Sequence, residues 1–182
     1  MHDITGYSPP GELLFDAAAV QDAVARQAVE LRPQLENENP LVLVLMQGAL
    51  YYAAWLTLAL AIPLELDYAH ASRYSDRDRG GELVWQRCPG ANLAGRSVLV
   101  VDDIFDEGKT LAAVREACTQ AGARELRAAV LARKLHDRAR GPLPESVALE
   151  VPDRFIVGCG LDYCGRWRNL SALYALTDDS AA

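Results

Sequence analysis

What the sequence lacks narrows the field first. It has four cysteines, Cys88, Cys118, Cys159 and Cys164, with no CxxC pair and no histidine at metal-ligand spacing. That excludes a disulfide scaffold and a structural zinc site, and leaves unpaired thiols of a reducing compartment. Histidines number three, and His70 and His136 lack an acidic or cysteine partner pattern, so both read as structural. Long apolar runs are missing too. The most apolar stretch, GALYYAAWLTLALAIPL, offers about 15 residues before Pro63 where a bilayer span needs roughly 20, and reads as a buried helix. The start, MHDITGYSPPGELLFD, has no basic segment leading into an apolar one, as a secretory signal would. A cytoplasmic protein is expected. With 18 basic and 25 acidic residues the net charge is -7, so nothing draws nucleic acid or anionic lipid to the chain in general. An anion site would have to be built from local groups.

What is present is an ordinary globular balance, 51% hydrophobic and 24% charged, over 182 residues without repeats or a dividing linker. One domain over 1–182 is expected. GELLFDAAAVQDAVARQAVELRPQL is Ala-rich with helical apolar spacing and predicts an amphipathic helix ending near Pro33. LVLVLM (41–46) predicts a strand buried on both faces, followed by a helix over about 49–61. LELDYAHAS (64–72) and LVWQR (83–87) predict strands either side of SRYSDRDRGGEL, which reads as a mobile loop. SVLVVDD (97–103), LRAAVLARK and DRFIVGCG predict three further strands, with a helix over 109–121 stopped at Gly122. Apolar strands alternating with helices imply an α/β fold with a mostly parallel sheet, whose ligands bind beyond the carboxyl ends of the strands. Gln47–Gly48, Asp102 to Thr110, Lys134, and Gly158 to Asp162 each come just after such a strand.

The densest chemistry is VLVVDDIFDEGKT (98–110). Adjacent carboxylates at a strand end accept hydrogen bonds from hydroxyls or hold a hard cation. Gly108 allows a tight turn, and the backbone N–H groups of about 106–110, with the Thr110 hydroxyl, can converge on a phosphate at a helix start. One ligand carrying both hydroxyls and phosphates would satisfy both halves. A Walker A loop is excluded, because position 103, where it needs glycine, is Asp103. A plain helix cap and a receiver-type acidic pocket are the alternatives.

VVDDIFDEGKT closely resembles the phosphoribosyl-pyrophosphate motif of the type I phosphoribosyltransferases. PDRFIVGCGLDYCGRWRNL (152–170) and LARK (131–134) resemble the hypoxanthine-guanine branch of that family, with Asp162 28 positions after Lys134. The resemblance runs from about residue 41 to 176. It implies the type I phosphoribosyltransferase fold: a core over about 37–150, a mostly parallel sheet flanked by helices, and a small hood from about 1–36 and 151–182. It implies transfer of the 5-phosphoribosyl group from phosphoribosyl pyrophosphate to hypoxanthine or guanine in purine salvage, with Mg2+, as a homodimer or homotetramer. By the same resemblance Asp102 and Asp103 bind the ribose hydroxyls, partly through magnesium, and Asp106 is the catalytic base or hydrogen-bond partner at purine N7. Glu107, Gly108, Lys109 and Thr110 surround the 5′-phosphate. Lys134 donates to O6, Phe155 stacks on the base and the Ile156 backbone reads its other edge. Asp162 holds a second magnesium, Gln47, Gly48 and Arg168 meet the pyrophosphate, and Ser72, Arg73 and Tyr74 form a lid.

Taken singly, Lys134 also fits a solvated strand-end lysine, Phe155 a core aromatic, and Asp162 with Arg168 a structural ion pair. Three positions depart from the family pattern. Glu107 replaces a hydroxyl residue, so its side chain is expected to point outward while its N–H serves. Gln47 replaces a usual lysine, with a cis peptide expected after it. Arg73 replaces the serine before Tyr74. Two rival functions are a nucleotide-sensing regulator on the same fold and a xanthine-preferring transferase.

Overall fold

The computed structural model describes residues 11–73, 83–88 and 93–177. A six-stranded sheet forms its centre, ordered β4(Leu83–Arg87), β3(Glu65–Arg73), β2(Leu41–Met46), β5(Ser97–Phe105), β6(Glu125–Lys134), β7(Ser146–Val151). All neighbours run parallel except β4, which pairs antiparallel with β3 at one edge. The sheet is buried on both faces, which is why β2 and β5 read as unbroken apolar runs.

Side-chain alternation splits each strand between two cores. Val42, Val44, Leu99, Val101, Ala129 and Leu131 pack with α1(Ala17–Leu35) and α2(Leu50–Leu60). Leu41, Leu43, Val98, Val100, Ala128 and Val130 pack with Leu111, Val114 and Cys118 of α3(Lys109–Gln120). The Tyr52 hydroxyl of α2 donates to Gln27 Oε1 at 2.6 Å, and Gln27 Nε2 donates to Val130 O at 3.2 Å. That buried chain ties α1 and α2 to the strand beside the acidic one. No described helix is long and apolar enough to cross a membrane.

The expected first helix begins later than its composition predicts. GELLF forms β1(Gly11–Phe15), because it pairs antiparallel with β9(Leu173–Leu176) at the far end of the chain. The helix starts only after Asp16, whose carboxylate accepts from Ala19 N at 2.8 Å and caps it. DRFIVGCG does not supply a strand of the central sheet either. SVALEV does, as β7, while only Ile156–Val157 is extended, as β8. Gly158 and Gly160, at φ 102° and 107°, turn the chain back before a longer strand can form. β1, β9 and β8 make a second, antiparallel sheet from the two ends of the chain. Gly158 to Asp162 therefore reach the sheet's carboxyl edge from this second sheet. Ser72 and Arg73 close β3, and Tyr74 lies outside the described residues.

Candidate active site

Because β2, β5 and β6 run parallel, their carboxyl ends open on one side of the sheet, into a cavity of about 420 Å³. Gln47, Gly48, Asp102, Asp103, Thr110 and Arg168 line it. A second cleft of about 270 Å³, lined by Lys134, Phe155, Ile156 and Leu161, shares Asp103, Ile104, Asp106 and Asp162 with the first. The site is thus two joined compartments with carboxylates along the seam.

The acids lie inside β5 and not after it, since that strand runs on to the buried Phe105 and pairs Asp102 with Val130 of β6. Asp102 Oδ1 accepts from Asp103 N at 3.0 Å, and Asp103 Oδ1 from Ile104 N at 2.8 Å. Burial pushes the Asp103 carboxyl above the ordinary range, although Asp102, the Ile104 N–H and the Arg168 charge all pull the other way. Its closeness to the first loop explains Gly48, where a Cβ would come within 1.8 Å of Asp103 Oδ2. Gly160 packs behind in turn, a Cβ there meeting Gly48 O at 1.8 Å. The cis peptide falls at Met46–Gln47, one bond earlier than expected.

Arg168 is anchored at both ends of its guanidinium. Nη1 donates to Gly160 O at 2.6 Å and Nη2 to Asp162 Oδ1 at 2.7 Å, so Arg168 and Asp162 form an ion pair at the edge of the cavity. Asp162 Oδ2 also accepts from Gly165 N at 2.7 Å. At the phosphate-type turn, Gly108 has φ 81° and starts α3, and a Cβ there would press on the Phe105 ring and Arg140 O at 2.9 Å. The Glu107 carboxylate pairs with Lys109 instead of standing apart, and its carbonyl accepts from Arg140 N at 2.8 Å.

Across the seam, Asp106 Oδ2 accepts from Lys134 Nζ at 2.9 Å, and His136 Nε2 lies 2.6 Å from Asp106 Oδ1. Burial alone would raise the Asp106 carboxyl, but the Lys134 and His136 hydrogen bonds and charges hold it below the ordinary carboxylate range. Lys134 is therefore no solvated strand-end residue. Phe155 is 53% exposed, edge-on to Tyr163 with ring centroids 5.1 Å apart, so it is no core aromatic, while Ile156 is buried in β8. His70 also lines the larger cavity.

His136 is the neighbour of Asp106 that motif reading passed over. It follows Lys134 by two residues, in the bend after β6, and no sequence pattern marked it. Among the described residues, Asp106, His136 and Asp153 form the set whose ligand atoms lie within 4.8 Å of one another. Lys134 already sits on Asp106 and Arg138 grips both oxygens of Asp153 at 2.7 Å, so two cations neutralise that set. Asp102, Asp103 and Asp162 are separate carboxylate donors around the larger cavity. Their hard oxygens, one of them desolvated against Gly48, suit a hard divalent ion shared with ligand oxygens.

Comparison with known proteins reaches the same region of the chain. A family model for the phosphoribosyl transferase domain matches residues 12–164. The hypoxanthine-guanine phosphoribosyltransferase of Bacillus subtilis (strain 168) is 31% identical over 160 residues, covering 87% of this chain and 89% of the relative. The bifunctional protein TilS/HprT of Listeria innocua is 30% identical over 160 residues, and there the match spans 25% of the relative's length. The crystal structure of a hypoxanthine phosphoribosyltransferase from Staphylococcus aureus superposes with a TM-score of 0.86 at 25% identity, covering 94% of each chain.

Proposed function

The chain belongs to the phosphoribosyltransferase family, in its hypoxanthine-guanine branch, and from that premise we propose how its own residues perform purine salvage. The reaction moves the 5-phosphoribosyl group from phosphoribosyl pyrophosphate to hypoxanthine or guanine, giving IMP or GMP and pyrophosphate. The observation that supports the reading is the seam: Lys134 lines the smaller cleft and Asp102 the larger one, and Asp103 and Asp106 line both.

The purine occupies the smaller cleft with its ring against Phe155 and its far edge on the Ile156 backbone. Lys134 turns from Asp106 to the O6 atom, and Asp106 takes the N7 proton as N9 attacks C1 of the ribose. Asp102 and Asp103 hold the ribose hydroxyls. The N–H groups of Glu107, Gly108, Lys109 and Thr110 hold the 5′-phosphate at the start of α3. Breaking the bond from C1 to pyrophosphate leaves positive charge on the sugar and negative charge on the leaving group. Arg168 and the Gln47–Gly48 turn meet the latter. The chemistry that bound magnesium would supply is neutralisation of the phosphate oxygens, with Asp102 and Asp103 as carboxylate ligands of one ion and Asp162 of a second. Ser72, Arg73 and Tyr74 are read as the lid that keeps water from the cationic sugar. A Lys134 donor suits a 6-oxo group and not the 6-amino group of adenine, itself a donor; an unpaired buried donor costs about 1–3 kcal/mol.

Residues 1–182 are read as one domain, a core over about 37–150 under a hood from about 1–36 and 151–182; the sheet of β1, β9 and β8 supports the hood, while α1 within 1–36 packs on the central sheet. Exposed Leu50, Leu58, Leu66 and Tyr68 support a homodimer or homotetramer. The four free thiols support a cytoplasmic setting. The test is pyrophosphate release with magnesium and phosphoribosyl pyrophosphate across hypoxanthine, guanine, xanthine, adenine and uracil. Turnover with hypoxanthine or guanine and none with adenine is expected. Fastest turnover with xanthine would move the specificity, and silence with every base would leave a nucleotide-sensing regulator.

A further inference from the structure

We infer that His136 is a positioning residue for Asp106, the fixed donor that keeps its carboxylate aimed into the purine cleft when Lys134 leaves for the substrate. The inference rests on the roles just proposed for Asp106 and Lys134. Asp106 has two oxygens and each has one donor, Lys134 Nζ on Oδ2 at 2.9 Å and His136 Nε2 on Oδ1 at 2.6 Å. Lys134 is a primary amine on a long stem and must turn to reach O6. Without another partner the carboxylate would then be free to rotate about its last bond, and the proton acceptor would be blurred at the moment it is needed.

His136 is suited to stay. Its side chain is 5% exposed. Its Nδ1 accepts the Arg138 backbone N–H at 3.1 Å, so in the neutral ring the hydrogen resides on Nε2, pointing at Asp106. The charged groups around it are Asp106 from the turn after β5, Lys134 at the end of β6, Asp153 after β7, and Arg138 on its own loop. Arg138 occupies both oxygens of Asp153 at 2.7 Å, which leaves Asp106 as the carboxylate bonded to the ring. A donor to a carboxylate favours its ionised form, so losing His136 should raise the pH at which Asp106 takes up a proton.

The experiment is the single-turnover rate of nucleotide formation, at saturating magnesium, phosphoribosyl pyrophosphate and hypoxanthine, from acidic to neutral pH. His136→Phe, which removes the donor, is expected to shift the acidic limb upward and slow turnover several-fold at neutral pH. The KM for phosphoribosyl pyrophosphate should not move. His136→Gln, which restores an N–H at similar reach, should bring the limb back. Limbs that coincide in the parent and both variants would overturn the inference. Asp106→Asn separates the two levels: loss of the limb there, with none of the His136 effect, sinks only the inference. An intact limb in Asp106→Asn sinks the base assignment beneath it. If His136→Phe does not fold, ring-nitrogen NMR of the parent decides instead. Hydrogen on Nε2 supports the inference, and hydrogen on Nδ1 overturns it.

Discussion

Asp103 and Asp106 are three residues apart and are driven in opposite directions, one up by burial and the other down by Lys134 and His136. A carboxyl held above its unfolded value destabilises the fold wherever it is ionised, and the penalty disappears as pH falls below the unfolded value near 3.9. Asp103→Asn keeps the shape and the bond from Ile104 N, so it should stabilise the protein by about 1 kcal/mol at a pH where Asp103 is ionised. It should also abolish turnover if Asp103 holds the ribose hydroxyls as proposed. Urea midpoints at neutral and strongly acidic pH check this, the gain being present in the first and absent in the second. Equal midpoints at neutral pH would remove burial as the cause. Residue types alone predicted a role for each of these acids, but not their protonation. That depends on what sits beside them after folding.

At the scale of elements, the turns Gln47–Gly48 and Gly158–Leu161 are the parts that cannot be altered without moving the site. Gly160 has φ 107°, and a Cβ there would lie 1.8 Å from the carbonyl oxygen of Gly48. Gly160→Ala is therefore expected to cost more than about 2 kcal/mol, from strain and backbone collision together. It should also weaken phosphoribosyl pyrophosphate binding, because Gly48 abuts Asp103. Denaturant unfolding and a binding titration check both effects, and an unchanged midpoint would mean the two turns move independently. Strands β2, β5 and β6 were legible because the stretch of a strand buried on both faces must be apolar, as LVLVLM, VLVV and AAVLA are. GELLF was not, since its composition suits a helix and only pairing with β9 makes it a strand. DRFIVGCG misled in the same way, its apolar residues serving a two-residue strand and a glycine turn.

For the whole molecule, the proposed site takes carboxylates from β5 and from the segment after β8, so its occupation should stabilise the fold as a unit. With magnesium, phosphoribosyl pyrophosphate at a hundredfold excess over its Kd should raise the Tm by about 5–10 °C, and EDTA should remove the effect. A rise of the same size without a divalent ion would argue against the metal assignment of Asp102, Asp103 and Asp162. By itself the sequence determined the alternation of strands and helices, and with it the sheet edge at which Asp102 to Thr110 and Lys134 had to emerge. Such patterns are local, because burial on one or two faces dictates the spacing of apolar residues. Only the tertiary structure decided that Lys134 and His136 meet on Asp106, that Arg168 pairs with Asp162, and that Gly48 is trapped between Asp103 and Gly160. All but the Arg168–Asp162 pair join residues far apart in the chain, and all follow from strand register and turn geometry, which no short stretch of sequence contains.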